Sequence, residues 1–322
     1  MIFSFLKKGS FLAALCGMML LPGAAQGPGE TAPEIFKADV QLAAQYGLTY
    51  EHVQIEIPSL KRPYIFIWIS DLHVIADDLS EIAEKSLPAM TLRRDKRFNN
   101  PRSGKNPAAL WKILPQLVNN SPADALLLGG DICDTGSVAN LQLLKQGLKE
   151  LKKPFIFLRE DHDFTPWHLA TKDMAARKKI SKEIDGHPAL PFIEYEDLTV
   201  VGLDFSGRRI KPALLKQFKK LYSKKKPMIV LQHVPILPPG KTESSWMNTK
   251  SHVWGGRLAP QKVMGEFISL LALPNGQVKG VFSGHTHRMW DGFLAPGVRH
   301  HVFSPAFEGV IGVITLVPPK NK

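Results

Sequence analysis

Five short groups of Asp and His recur along the chain: Asp71-Leu72-His73, Gly130-Asp131-Ile132-Cys133-Asp134, Asp161-His162-Asp163, Gln232-His233-Val234-Pro235 and Gly284-His285-Thr286-His287. Nearly all stand at the end of an apolar run, as Asp71 does after Tyr64-Ile65-Phe66-Ile67-Trp68-Ile69. Carboxylate oxygens and imidazole nitrogens gathered from separate strand ends are the ligands that a two-metal hydrolytic centre needs. Each residue alone has a plainer reading. An Asp after a strand serves a turn or a helix cap, and a lone His is usually a satisfied, partly buried polar group. All five groups together, in this order and context, are much harder to explain by turns.

The elements around these groups alternate. Val53 to Ile57 alternates apolar and polar residues, as a half-buried strand does, whereas Tyr64 to Ile69 is apolar throughout, as a doubly buried strand would be. Further strands are predicted at Ala125 to Leu128, Phe155 to Leu158, Leu198 to Leu203, Met228 to Leu231, Val278 to Phe282 and Val310 to Val317. Helices are predicted at Glu34 to Tyr46, Ala108 to Val118, Val138 to Leu151, Pro166 to Ile184, Pro212 to Tyr222 and Gln261 to Leu271. Strands alternating with helices imply α/β layering. In such sheets ligands collect outside the carboxyl ends of the strands, where Asp71, His73, Asp131, Asp161, His162, His233, His285 and His287 would converge.

Length and composition set the frame. With 322 residues, 44% hydrophobic and 22% charged, the chain can bury a sizeable core, and wholesale disorder is not expected. Residues 1 to 25 read as a signal peptide. Lys7 and Lys8 form a positive start, Phe11 to Leu21 an apolar stretch too short to span a bilayer comfortably, and Pro22-Gly23-Ala24-Ala25 a small-residue exit. Lipidation at Cys16 is set aside because Leu15 precedes it where a small residue is expected. The mature protein is expected to be exported, periplasmic or secreted, with no stable membrane span. Residues 26 to 50 form a leader and helix, and 51 to 322 one domain. Cys133 would then be the sole cysteine, so no internal disulfide is expected and stability must come from the core or from metal. Losing Lys7 and Lys8 lowers the formal charge from +12 to +10, a surface that favours polyanions.

Two segments interrupt the rhythm. Leu92 to Asn106 is basic and rich in breakers, and Leu237 to Leu258 carries Trp246 and Trp254 among Gly, Ser and Pro. Together they would suit a phosphorylated ligand; each alone reads as solvated cations or as cover for a satellite core. Lys216 to Lys226 holds six lysines beside Leu214, Leu215, Phe218 and Leu221 at helical spacing, an amphipathic helix with a wet basic face.

The ordered blocks resemble those of the calcineurin-like metallophosphoesterases. Asp71-x-His73, Gly130-Asp131-x-x-Asp134, His233 and Gly284-His285-x-His287 match that family's pattern, over about Tyr64 to Pro305. The resemblance implies a four-layer αββα sandwich, two mixed sheets flanked by helices, with two divalent transition-metal ions (Mn, Fe, Zn or Co) at the strand ends. It implies Asp71, His73 and His287 on one metal and Asp161, His233 and His285 on the other, with Asp131 bridging. A bridging hydroxide would attack the phosphorus. His162, braced by Asp163, would protonate the leaving oxygen. Asp134 would orient the loop or a ligand histidine, and Cys133 would be a small buried residue rather than a thiol ligand.

The third block departs from the family, with Glu160-Asp161 where Gly-Asn is usual. A carboxylate can ligate but cannot donate a hydrogen bond to phosphate. Three aspartates and a hydroxide would also neutralise two divalent ions, so Asp161 is expected to weaken monoester hydrolysis and strengthen metal retention. His52, His168, His187, His252, His300 and His301 match no block and read as surface or loop residues. The expected activity is hydrolysis of a phosphate mono- or diester in a small molecule or polymer. The alternatives are a nuclease or nucleotide phosphodiesterase, favoured by the basic charge, and a non-catalytic scaffold, suggested by the altered third block.

Overall fold

A strand that is apolar at every position must be covered on both faces, and Tyr64–Ile69 is. The computed structural model describes residues 39–170, 175–184, 190–203, 210–246, 253–255 and 262–319. It holds eleven strands among these: β1 (Thr49–Glu56), β2 (Tyr64–Ile69), β3 (Ala125–Leu128), β4 (Phe155–Phe157), β5 (Phe192–Glu194), β6 (Thr199–Leu203), β7 (Met228–Gln232), β8 (Val278–Ser283), β9 (Trp290–Ala295), β10 (Val298–Val302) and β11 (Val310–Val317). One sheet has the order β1-β11-β2-β3-β4 and the other β5-β6-β7-β8-β10-β9.

The period of two in each strand divides its side chains between two cores. Phe66 and Trp68 of β2 point between the sheets and meet Ile229, Leu231, Phe282, Phe303 and Ile314. Ile67 and Ile69 point the other way, onto the helices α3 (Pro107–Asn120) and α4 (Val138–Glu150), which contribute Trp111, Leu114, Leu117, Leu141 and Leu144. The second sheet is covered likewise by α7 (Pro212–Tyr222) and α8 (Lys262–Leu271), through Leu215, Phe218, Met264 and Phe267. The result is the expected four-layer αββα sandwich. Side chains start the helices that matter here: Asn106 accepts the Ala109 N–H and Ser137 accepts the Asn140 N–H.

Strand direction brings the Asp and His groups together. β2, β3 and β4 run parallel in one sheet, and β6, β7 and β8 run parallel in the other, so each set ends at one edge. The register continues past the strands: Asp71 N–H donates to Gly130 O at 3.0 Å, and His73 N–H to Asp131 O at 3.0 Å.

Several expectations change. The helix predicted at Pro166 to Ile184 is found only in part: after α5 (Asp161–Phe164), residues 165–170 form turns and an isolated bridge, and the described helical part is α6 (Ala175–Ile184). Residues 165–170 are held by tertiary backbone bonds that periodicity cannot foresee. The antiparallel pair β9–β10 was not predicted, because β9 is half exposed and carries Asp291 and Gly292 in place of an apolar run. The basic stretch after Leu92 is not an open loop throughout. The helix α2 (Leu87–Leu92) passes into a wide turn over Arg93–Arg97, and Phe98 is buried. Trp246 and Trp254 are also buried, Trp246 in a small satellite cluster with Val253 and Val302, and Trp254 in the main core of the second sheet. In α7 the lysines face solvent, with Lys219 paired to Glu266, while Lys224 and Lys226 beyond it pair with Glu194. Residues 1–38, with the expected signal peptide, the leader and the start of the first helix, lie outside the described residues; α1 (Val40–Gln45) is the part that is described. No helix among the described residues is long and apolar enough to cross a membrane.

Candidate metal centre

The site is built on strained backbone. Asp71, His73, Asp131, His285 and His287 all have positive φ, between 52° and 71°. L-residues rarely adopt this region, and they do so where the surroundings enforce it. Two glycines permit the crowding. Gly130 has φ 95°, and a Cβ there would stand 2.7 Å from Glu160 Cγ and 2.9 Å from His233 Nδ1. At Gly284 a Cβ would lie 2.2 Å from Asp71 Oδ2, so only glycine lets this loop close over Asp71. The His285 N–H then donates to both carboxylate oxygens of Asp71, at 3.0 Å each.

Three sets of donor atoms converge among the described residues, the third being His73, Asp134 and His162, which share the contacts of Asp134 given below. In the first, Asp71, His73 and His287 converge, with Nε2 of His73 3.1 Å from Nε2 of His287 and the latter 3.3 Å from Asp71 Oδ1. In the second, Asp131, His233 and His285 converge, with His233 Nε2 3.2 Å from Asp131 Oδ2 and 3.3 Å from His285 Nδ1. Asp71 Oδ1 is also 3.9 Å from His233 Nε2, which puts Asp71 between the groups.

The donor chemistry fits divalent transition metals. His233 Nδ1 faces the Gly129 carbonyl at 2.8 Å, where only N–H can serve, and His73 Nδ1 faces Asp134 Oδ1 at 3.0 Å. Both arrangements aim Nε2 at the centre and fix the ring, the usual support of a metal-binding histidine. The buried carboxylates also draw positive charge. Burial disfavours a charged His233, yet Asp131 and Asp71 hold its pKa well above the imidazole range. Burial and the neighbouring His233 push His285 down to about 4, so it presents neutral nitrogens, and its Nε2 is buried without a hydrogen-bond partner.

His162 stands beside the first group on the wall of a cavity of about 260 Å³. Its Nδ1 lies 3.1 Å from the Asp134 carbonyl oxygen and 3.4 Å from Asp134 Oδ1. Burial lowers the pKa of His162, but the bond to Asp134 and the charge of Asp131 outweigh it and raise the value to about 9. Asp134 is itself fixed by Arg93, whose Nε donates to Oδ2 at 2.6 Å and whose Nη2 donates to Oδ1. Bonds with His162, His73 and Arg93, in that order, outweigh burial and hold its carboxyl far below the usual range.

The bracing role expected of Asp163 therefore belongs to Asp134. The fully buried Asp163 carboxylate accepts three backbone N–H groups, from Asp131 at 3.1 Å, Cys133 at 2.8 Å and Glu160 at 3.0 Å. It ties the second and third loops together. Asp161 lines the same cavity, outside the groups of converging donor atoms. Glu160 has φ −127°, so the turn has no need of glycine there. Cys133 is buried, its thiol pKa is pushed well up by burial, and it belongs to no donor group.

His300 and His301, expected at the surface, are fully buried. His301 Nε2 lies 2.5 Å from Glu51 Oε1 and its Nδ1 3.1 Å from Asp291 Oδ1, joining the two sheets. His52 reaches Thr315 Oγ1 at 2.8 Å and His168 is exposed, while His187 and His252 lie outside the described residues. Arg93, Arg97, Phe98 and Trp167 also line the cavity. The first three come from the basic stretch, whose composition was the available signal. Trp167 had none, because it lay inside a predicted helix.

A family model described as calcineurin-like phosphoesterase matches residues 65–289. No match is found among curated proteins. Among solved structures the chain is similar to a dimetal phosphatase from Danio rerio, at 14% identity over 78% of this chain and 89% of that one, with a TM-score of 0.47. It is similar to a purple acid phosphatase from yellow lupin (Lupinus luteus) seeds, at 12% identity over 85% of this chain and 48% of that one, TM-score 0.47. A third is an inner-membrane-complex anchor of Plasmodium, at 13% identity over 76% of this chain and 72% of that one, TM-score 0.40.

Proposed function

The chain belongs to the calcineurin-like phosphoesterases and is a phosphoric ester hydrolase, and on that premise we propose an exported, metal-dependent enzyme that cleaves a phosphate mono- or diester with His162 as general acid. The observation that carries this reading is the placement of two Asp/His donor groups and of His162, held at Nδ1 by Asp134, around one cavity. Asp71, His73 and His287 would hold one ion and Asp131, His233 and His285 the other. Bound there, divalent transition metals would supply an activated water and positive charge for the phosphate oxygens.

The protein's own groups perform the rest. Asp134 occupies Nδ1 of His162, which leaves Nε2 to carry the proton to the departing ester oxygen. With its pKa raised to about 9, His162 is protonated at neutral pH and ready to act as an acid. Arg93 keeps Asp134 ionised and in place, so that one carboxylate orients both a ligand histidine and the acid. Export rests on the N-terminal sequence pattern, with Lys7 and Lys8 before the apolar stretch Phe11 to Leu21.

The test is hydrolysis of a generic aryl phosphodiester by the Mn-loaded protein and by His162→Ala. The variant is expected to retain its metal and lose about 100-fold or more in turnover. Equal inactivity of both proteins would instead favour a binding protein that keeps the fold.

A further inference from the structure

Trp167 lines the same cavity as His162. The residue is 42% exposed, it belongs to none of the apolar clusters, and its one ring contact among the described residues is with His162, at 5.1 Å between centroids and 88° between planes. An aromatic ring on a cavity wall, beside the candidate acid and outside any core, is placed to meet a ligand.

The segment that carries it is firmly held. Gly136 N–H donates to Thr165 O at 3.1 Å, and the Thr135 hydroxyl donates to the Trp167 carbonyl at 2.7 Å. Ala83 N–H donates to His168 O at 2.8 Å, and Ala170 N–H to Glu81 O at 2.7 Å. His168 takes φ 67°, and beyond it Leu169 packs on the buried cluster of Ile75, Ile82, Met90 and Phe98. The backbone is thus fixed on both sides of a residue whose ring lies free on the cavity wall. A surface fixed before the ligand arrives loses little entropy on binding.

Its place beside His162 gives the ring a direction, an argument that rests on the general-acid reading above. The group that His162 protonates is the leaving oxygen, so the alcohol part of the ester lies on the same side as Trp167. In this step the phosphorus bond to the leaving oxygen breaks, a bond to the oxygen of water forms, and the His162 proton passes to the alcohol. The proton lost by water restores His162 through solvent. At about 260 Å³ the cavity is at the small end for small-molecule sites, suited to a phosphate and one ring system.

We propose that Trp167 selects phosphate esters whose leaving alcohol carries a planar aromatic or heteroaromatic ring, which packs against the indole while His162 protonates its oxygen. Ring packing of this kind discriminates by about three- to tenfold.

The experiment uses two esters of similar size and alcohol basicity, benzyl phosphate and cyclohexylmethyl phosphate, with the full-length Mn-loaded enzyme. Its second arm measures calorimetric binding of the corresponding benzyl and cyclohexylmethyl phosphonates, which cannot be hydrolysed. Wild type is expected to prefer the planar member of each pair by about three- to tenfold. Trp167→Ala should abolish that preference at unchanged metal content, and Trp167→Phe should keep it. A wild type with no preference, or an alanine variant that retains it, overturns the proposal. A binding preference without hydrolysis of either ester leaves the ring preference standing, and the aryl phosphodiester assay of wild type against His162→Ala then decides the general-acid reading.

Discussion

The Asp134 carboxylate touches His73 and His162 together: Oδ1 lies 3.0 Å from Nδ1 of the first and 3.4 Å from Nδ1 of the second. One buried anion thereby fixes both rings, which on the proposed function are a metal donor and a proton donor. In Asp134→Asn the shape is kept, but one oxygen becomes a donor and the charge facing Arg93 is lost. Metal affinity should fall about 10- to 100-fold, as for other residues that orient a ligand histidine. Metal titration with a melting curve as control decides this: unchanged affinity in a folded variant would remove Asp134 from that role.

Asp161 lies on the cavity wall outside both donor groups. Its negative charge stands where a phosphate dianion must approach. Asp161→Asn should therefore raise monoester turnover about fivefold, corresponding to about 1 kcal/mol for two charges in a largely aqueous setting. Bound metal should stay the same. Turnover that does not rise would sink the electrostatic argument, and loss of metal would return Asp161 to the ligand set.

Asp163 anchors three backbone N–H groups and is fully buried. Each donor left unsatisfied costs about 1–3 kcal/mol. Asp163→Ala should then lose about 3 kcal/mol or more in urea unfolding, whereas His162→Ala should unfold close to wild type. A mild effect at Asp163 would mean that the loops hold themselves.

His301 gives a pH signature outside the metal groups. Burial lowers its pKa, but the bonds to Asp291 and Glu51 raise it above the ordinary 6.5. A folded pKa above the unfolded one stabilises fully below about pH 6.5, and that stability is lost as pH rises through the folded value. His301→Gln should melt lower than wild type near pH 6, and the gap should narrow toward alkaline pH. On the opposite side of the same strand, His300 is pushed down to about 3 by burial and by His301. It favours the folded state when neutral, so His300→Gln should reduce the loss of stability as pH falls below about 6.5. Melting curves from pH 4 to 9 test both signs.

Much of the layered fold was legible because burial writes itself locally. A run such as Tyr64–Ile69 can only be a strand covered twice, and the amphipathic α7 announces its wet lysine face. The edge pair β9–β10 was not legible, since a half-exposed strand with Asp291 and Gly292 has no apolar run to read.

The sequence by itself determined the donor types, their order and their places after strands, because metal chemistry depends on which side chains are present and parallel strands end together. Only the tertiary structure decided which neighbour serves which. Asp163 follows His162 directly, yet its carboxylate reaches the backbone of Asp131 and Cys133, while the brace for His162 comes from Asp134. Glu51 and His301 meet across 250 residues of chain, and Arg93 reaches Asp134 across 41. Left-handed turns at Asp71, His73, Asp131, His285 and His287 turn each side chain by an angle that no spacing rule encodes. Trp167 shows the same limit: its role follows from where Thr135, Ala83 and Glu81 fasten its segment, and those contacts exist only once the chain has folded.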